Sequence, residues 1–320
     1  GLFEGCSSLS KISFPSSVAS IGSNSFDGCS SLKEFIVPSS VASISNYAFN
    51  GCSSLEEFII PSSVTSIGNH SFNGCSSLTQ ITISSSIKEF GENIFNGVVS
   101  LELKGDIEII PNSLFKGCSS LTKISFPSQI TSIEESAFYG CTSLEQITLS
   151  SSLIAIKSSA FTLCSMLKQI SIPSSVKSIG ENAFSVCRLL TNITIPSSIT
   201  KIAKSLFSGC SSLTEIIIPP SVTLIESYAF SNCTSLSQIV IPSSVASIES
   251  RAFIGCKSLV KISLPSSVTT FGRKIFDGVV SLEITGDIRC ISDNLFSECA
   301  SLQQISIPES VISIGKNAFE

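Results

Sequence analysis

Thirteen cysteines are the first candidates for chemistry in this 320-residue chain, and twelve of them stand at one register. Each follows a phenylalanine by three residues: Cys6, Cys29, Cys52, Cys75, Cys118, Cys141, Cys164, Cys187, Cys210, Cys233, Cys256 and Cys299. Zinc needs clustered ligands, commonly C-x2–4-C with partners nearby, whereas this spacing supplies a single file. If the file stacks at the strand spacing of about 4.8 Å, neighbouring Cα atoms fall inside the disulfide range of about 4.4–6.8 Å. Side chains that point the same way keep their Cβ atoms near the strand spacing, too far to bridge without backbone movement. The expectation is a column of small buried thiols filling a tight turn, with no metal and no cofactor. Such a column does not argue for an oxidising compartment. Cys290 alone falls off the register, beside Ile291 on the outward side, and is the candidate exposed thiol.

The other reactive types are sparse. His70 is the single histidine, in a slot that other units fill with Asn24, Tyr47, Ser136 or Arg251, which reads as a solvated turn. A Ser-His-acid triad needs a base held by a third group in a unique pocket, and a repeating slot offers none, so no catalytic residue is assigned. Asp106 and Asp287 sit in "GDI" turns without the clustered oxygens that calcium requires. Three N-x-S/T sequons, at Asn69, Asn192 and Asn232, are candidate glycosylation sites if the chain enters the secretory route. A glycan on Asn192 would cover part of an exposed strand face.

The elements that position these residues come from a repeat. Anchor phenylalanines recur from Phe3 to Phe319 at intervals of 23, except for two intervals of 20, Phe95 to Phe115 and Phe276 to Phe296. One unit reads roughly L-x-x-I-x-I-P-S-S-V-x-S-I-x-x-x-A-F-x-G-C-S-S. Leu121, Ile124 and Phe126 have the alternation of a short strand with one buried face. Pro127 ends that strand, because proline lacks the N–H a ladder needs. A second apolar pair such as Val176 and Ile179 precedes a turn, after which the phenylalanine drops inward. One coil cannot bury these side chains alone, but stacked coils share a continuous core. The expected fold is therefore a solenoid of about fourteen coils, one repeat array over 1–320, with short coils at 96–115 and 277–296. There the shared register implies deletion of Cys-Ser-Ser, with Val98 and Val279 in the Leu slot and the coil pinched on one side. A shift of 181 residues superposes "IFNGVVSLELKGDIEII" from Ile94 on "IFDGVVSLEITGDIRCI" from Ile275, so an eight-coil block is duplicated.

The motifs L-x-x-I-x-I-P, S-V-x-S-I-G and A-F-x-G-C-S-S-L, nearly complete between Leu167 and Leu190, resemble the BspA-like leucine-rich repeats of bacterial and protozoan surface proteins. The resemblance covers the whole chain. It implies a right-handed, β-rich, open curved leucine-rich-repeat solenoid with a parallel sheet on one face and short turns or 3-10 segments elsewhere. It also implies a non-catalytic protein-binding domain, cell-surface or secreted, that adheres to host or matrix proteins. An intracellular protein–protein scaffold in the cytoplasm and a structural or antigenic spacer are the alternatives.

Charged residues make up 13% of the chain, its net charge is −5, and no basic block could neutralise a run of phosphates, so nucleic acid is not an expected partner. Apolar runs such as "EFIIP" are far shorter than the roughly 20 residues a membrane helix needs, which excludes helical insertion by this segment. Both ends lie inside repeats, so the chain reads as an excised piece whose raw coil edges favour end-to-end self-association. In each strand the residue between the inward pair faces out, and most of these are Ser or Thr. Against that background Ile36 with Ile59, and Ile217 with Val240, are exposed branched pairs flanked by Glu34, Glu57, Glu215 and Gln238. These eight residues form the candidate protein-binding face. No Trp is present, so contact with each pair should be modest in strength, and two pairs on one multivalent partner would compensate.

Overall fold

The computed structural model describes residues 1–320, built of short strands and turns with no helix. Alternation decides the strands. In Glu57–Ile59, Phe58 is buried between exposed Glu57 and Ile59, and the same pattern recurs in Lys123–Ser125, Gln169–Ser171, Asn192–Thr194 and Gln238–Val240. Within each sheet a strand pairs in parallel with its equivalent one coil on, as in Glu57 with Gln80, Gln169 with Asn192 and Gln238 with Lys261. A 23-residue offset thus matches pleat to pleat and keeps every inward residue above its equivalent. The result is the expected parallel-strand leucine-rich-repeat solenoid.

The V-x-S-I segment, read from sequence as an apolar pair before a turn, forms a second parallel sheet. Its two-residue strands include Ser20–Ile21, Ser43–Ile44, Ser66–Ile67 and Glu89–Phe90, paired in that order. The inward Ile closes the core from this side, and the outward Ser costs little in solvent.

The third side of each coil is held without strands. Phe26 N–H donates to the Ala48 carbonyl at 2.8 Å and Gly28 N–H to the Asn50 carbonyl at 2.8 Å, both in the next coil. Two residues ahead of the anchor ring, residues in the slot of Asn24, Tyr47, His70 and Asn93 adopt left-handed φ of 52–57°. The anchor rings then pile face to face, with Phe26–Phe49 centroids 5.2 Å apart and Phe230–Phe253 5.3 Å. Aromatic faces this close add dispersion to area burial, and the rings are nearly all inaccessible to solvent.

Two compact units are distinguished by packing, Gly1–Leu153 and Ile154–Glu320, and the repeat period continues through their boundary without a linker sequence. In the first unit the outer-face sheet runs through Glu57–Ile59, Gln80–Ile83, Ser100–Gly105, Lys123–Ser125 and Gln146–Ile147. In the second, one such sheet pairs Gln169–Ser171 with Asn192–Thr194, and another joins Gln238–Val240, Lys261–Ser263, Ser281–Thr285 and Gln304–Ser306.

The short coils are more than pinched. On the outer face Ile81 pairs with Leu103 at an offset of 22 where the deletion makes Leu101 its sequence equivalent, while Leu101 pairs onward with Ile124. The second unit does the same, with Ile262 opposite Ile284 and Leu282 opposite Ile305. A slip of two residues preserves which side chains face inward, so the core survives the deletion. The onward pairing keeps Val98 at the regular 23-residue offset from Leu121, while its N–H reaches the Phe95 carbonyl at 3.1 Å, the bond that the cysteine makes in the longer coils, so one residue spans the two slots. On the second sheet the ladder is interrupted. Glu89–Phe90 ends one sheet and Ile109–Ile110 begins another, and Thr270–Phe271 and Cys290–Ile291 repeat the break. The anchor rings record the same distortion, tilting by 29° from Phe95 to Phe115 and by 27° from Phe276 to Phe296.

Candidate functional site

The outer strand face carries the candidate residues because the pleat sends every second side chain away from the core. Ile36 is 79% exposed and Ile59 64%, and the two are bridged in parallel register, so their side chains are immediate neighbours. Ile217 is 83% exposed and Val240 67%; Ile217 is bridged to Thr194 and Val240 is paired with Ser263. Glu34, Glu57, Glu215 and Gln238 are exposed beside them. The rim is not purely acidic. Glu34 pairs with Lys11, and Glu57 and Gln238 stand in register with Gln80 and Lys261 respectively. Exposed pairs of this kind contribute little stability, and they leave the apolar side chains as the distinctive feature of the face.

The cysteine file is a hydrogen-bonded column. The Cys52 thiol donates to the Phe26 carbonyl at 3.2 Å, Cys75 to Phe49 at 3.2 Å and Cys233 to Phe207 at 3.2 Å, each one coil back. The same carbonyl accepts the N–H of its own coil's cysteine, as Cys29 N–H to Phe26 at 3.1 Å. A thiol is small enough for the turn and supplies the second donor that valine cannot. Burial pushes these thiols up, to about 12 for Cys52, Cys118, Cys210 and Cys256, against an ordinary 9.0. They are protonated and poor nucleophiles near neutrality. All thirteen cysteines are free, and Cys6 in the first coil is the exposed one. Cys290, singled out from sequence as the exposed thiol, is half-buried, with its Sγ 3.5 Å from the Ile291 carbonyl.

His70 occupies the left-handed slot and stacks on Tyr47 with ring centroids 4.8 Å apart. One duplication later Arg251 covers Tyr228 and donates to its hydroxyl at 2.9 Å. Neither pair was foreseen, although the frequency of Asn in this slot (Asn24, Asn93, Asn182, Asn294, Asn317) signals a left-handed backbone. Asp106 and Asp287 are held internally. Asp106 accepts from Ser85 N at 2.7 Å and Ser85 Oγ at 2.8 Å, and Asp287 from Ser266 at 2.8 and 2.9 Å. Those bonds hold both carboxyls below the usual range, and no cluster of metal-ligating side chains forms anywhere. Of the sequon residues, Asn69 is exposed with its Oδ1 accepting from Glu92 N at 2.7 Å, Asn192 is exposed on its strand, and Asn232 is exposed at φ 56°.

Known proteins fit this geometry. The BspA type leucine rich repeat region matches residues 1–108, 108–236 and 223–320. A leucine-rich repeat protein of Bacteroides ovatus is similar at 31% identity over 93% of this chain and 78% of its own, with a TM-score of 0.70. A leucine rich cell surface protein of Faecalibacterium prausnitzii shares 25% identity over 86% of this chain and 85% of its own, at a TM-score of 0.43. The pneumococcal vaccine antigen PcpA shares 19% over 93% and 79%, at 0.45. No curated protein matches the chain. With the repeat motif matched throughout and strands, anchor rings and thiols stacking coil upon coil, this chain belongs to the BspA type leucine-rich repeat family.

Proposed function

We propose that the outer strand face is a protein-recognition surface and that the chain serves in cell-surface or secreted adhesion to a host or matrix protein. The observation that carries this reading is the bridged pair Ile36 and Ile59, both largely exposed on a face otherwise lined with hydroxyls and charges. Apolar side chains at the centre of a polar face gain by leaving water when a partner covers them. The likeness to a surface protein of F. prausnitzii and to a pneumococcal antigen agrees with an extracellular setting. The absence of Trp and the place of Tyr47 in a turn, outside these strands, imply modest strength for each contact, so avidity is expected to matter. An intracellular scaffold using the same face is the competing reading, supported by the thirteen free thiols.

Surface plasmon resonance over immobilised basement-membrane matrix tests the face. Ile36→Ser with Ile59→Ser should weaken capture about tenfold while leaving the circular dichroism unchanged, in line with the loss of two buried branched side chains. Undiminished capture by this variant would remove the face from the proposal. Labelling of intact source cells with a membrane-impermeant amine reagent separates adhesion from scaffold, since only a surface protein is modified.

A further inference from the structure

The break in the second sheet of the first unit leaves strand edges that no other part of the fold completes. In regular coils the Thr65 and Ile67 carbonyls accept Lys88 N–H at 2.8 Å and Gly91 N–H at 2.7 Å from the next coil. One coil on, the Lys88 and Phe90 carbonyls receive no backbone donor, and the Glu108 N–H donates to no backbone carbonyl. Pro111, which takes the place of Gly91 in the short coil, has no N–H to give, but Ser292 at the duplicate position has one and the ladder opens there too, so the proline is not required for the gap. The deletion, absorbed on the outer face by a two-residue slip, leaves the strands apart here. Between them lies a cleft of about 720 Å³ whose wall includes Phe90, Ile107 and Ile109, and an adjoining cleft of about 460 Å³ reaches Glu89 and Glu134. Ile109 is 44% exposed within it.

Charge distinguishes this cleft from its duplicate. Glu89, Asp106, Glu108 and Glu134 surround the first against a single Lys88. The residues 181 further on are Thr270, Asp287, Arg289, Gly315 and Thr269, and the cleft-lining Asn112 is replaced by Asp293, so the second break carries two acids and one base, with Cys290 in the place of Ile109. The second ladder is interrupted in the same way, since the Thr269 and Phe271 carbonyls also lack donors. Backbone geometry is shared; the rim of four acids belongs to the first copy only.

We infer that the cleft at the first short coil binds an extended segment of a partner protein that alternates apolar with lysine or arginine residues. The segment adds as a strand to the edge formed by Glu89–Phe90 or Ile109–Ile110. Its amides reach the unpaired Lys88 and Phe90 carbonyls, its apolar side chains lie against Phe90 and Ile109, and its cations meet Glu89 and Glu108. Main-chain pairing supplies strength and alternate side chains supply selectivity, as in other strand-addition complexes. This surface is separate from the outer face discussed above and stands or falls independently of it.

The probe is a fluorescein-labelled peptide of about eight residues, within the usual strand length, alternating lysine and valine. Two controls replace lysine by glutamate or N-methylate alternate amides. Fluorescence anisotropy should show saturable binding of the lysine peptide, about fivefold to tenfold weaker for Glu89→Lys with Glu108→Lys and weakened further by added salt. Both altered residues are exposed, and circular dichroism checks that the variant is folded. N-methylation should abolish binding in the register whose amides face the edge and spare it in the other, and hydrogen exchange should slow at 88–90 or 108–110 when the peptide is bound. Equal binding of the glutamate peptide, full binding of both N-methylated registers, no binding at millimolar peptide, or protection confined to 34–36 and 57–59 would each overturn the inference.

Discussion

The two units solve the same turn with different residues. In Gly1–Leu153 the slot before the thiol position is always glycine, Gly5, Gly28, Gly51, Gly74, Gly97, Gly117 and Gly140, at φ of 70–89°. In Ile154–Glu320 the slot holds Leu163 at 64°, Val186 at 59°, Asn232 at 56° and Glu298 at 56° beside Gly209, Gly255 and Gly278. The inter-coil bond is the same either way. Gly51 N–H reaches the Asn73 carbonyl at 2.7 Å, and Val186 N–H reaches Ser208 at 2.6 Å. Stacking therefore imposes the left-handed turn, and glycine only relieves it. An L-residue there carries roughly 1–2 kcal/mol of strain, and a β-branched one such as Val186 is the least suited. Side chains in the second unit have drifted over a backbone that could not.

If the units share one mechanism of cohesion, both should fail together in base. Thiols are ordinary at 9.0 when unfolded, and burial pushes Cys52 and Cys118 in the first unit and Cys210 and Cys256 in the second up to about 12. Below pH 9 both states hold the proton, so burial is not penalised. Between about 9 and 12 only the unfolded state releases it, and stability falls as pH rises. Urea midpoints of both units should drop over that window, and Cys52→Val with Cys118→Val should lessen the drop in the first unit alone, since Cys29, Cys75 and Cys141 are raised as well.

The anchor column gives the next largest effect. Phe49→Ala and Phe230→Ala, one duplication apart and both fully buried, should each cost about 3–5 kcal/mol by chemical denaturation. Unequal losses would show that the units differ in packing as well as in turn residues. Gly97→Ala and Gly278→Ala should cost about 1–3 kcal/mol each, since the added Cβ would stand 3.1 Å and 3.0 Å from the Cα of the glycine in the preceding coil. Val186→Gly should instead stabilise the second unit by about 1 kcal/mol, through release of left-handed strain offset in part by unfolded-state entropy. The smallest effect concerns Asp106 and Asp287. Their carboxyls are held below the ordinary 3.8 by bonds to Ser85 and Ser266, so that contribution is present above pH 4 and fades as pH falls through the depressed values. Matching low titration midpoints by carboxyl NMR would sharpen the likeness of the two short coils, and a normal value at either would break it.

Much of this was legible from spacing. The anchor phenylalanines, the buried thiol file and the outward Ile36, Ile59, Ile217 and Val240 all follow from a period of 23 and an alternation of two. The left-handed slot, the thiol-to-carbonyl bonds and the strand character of Ser43–Ile44 did not, because each depends on a partner in another coil. Cys290, the candidate exposed thiol, is half-buried for the same reason. Its neighbours are decided by an interrupted sheet that no local pattern announces.

What the chain's letters determined alone is the repeat, its inward and outward sets, and the places where three residues are missing, since periodicity is a property of one dimension. Only the folded molecule decided how those gaps are absorbed. A two-residue slip restores the core on one face, while on the other the strands are left unpaired and, in the first unit, open a cleft. Hydrogen bonds between coils join residues about twenty apart, and whether they close depends on distances that exist only once the coils are stacked.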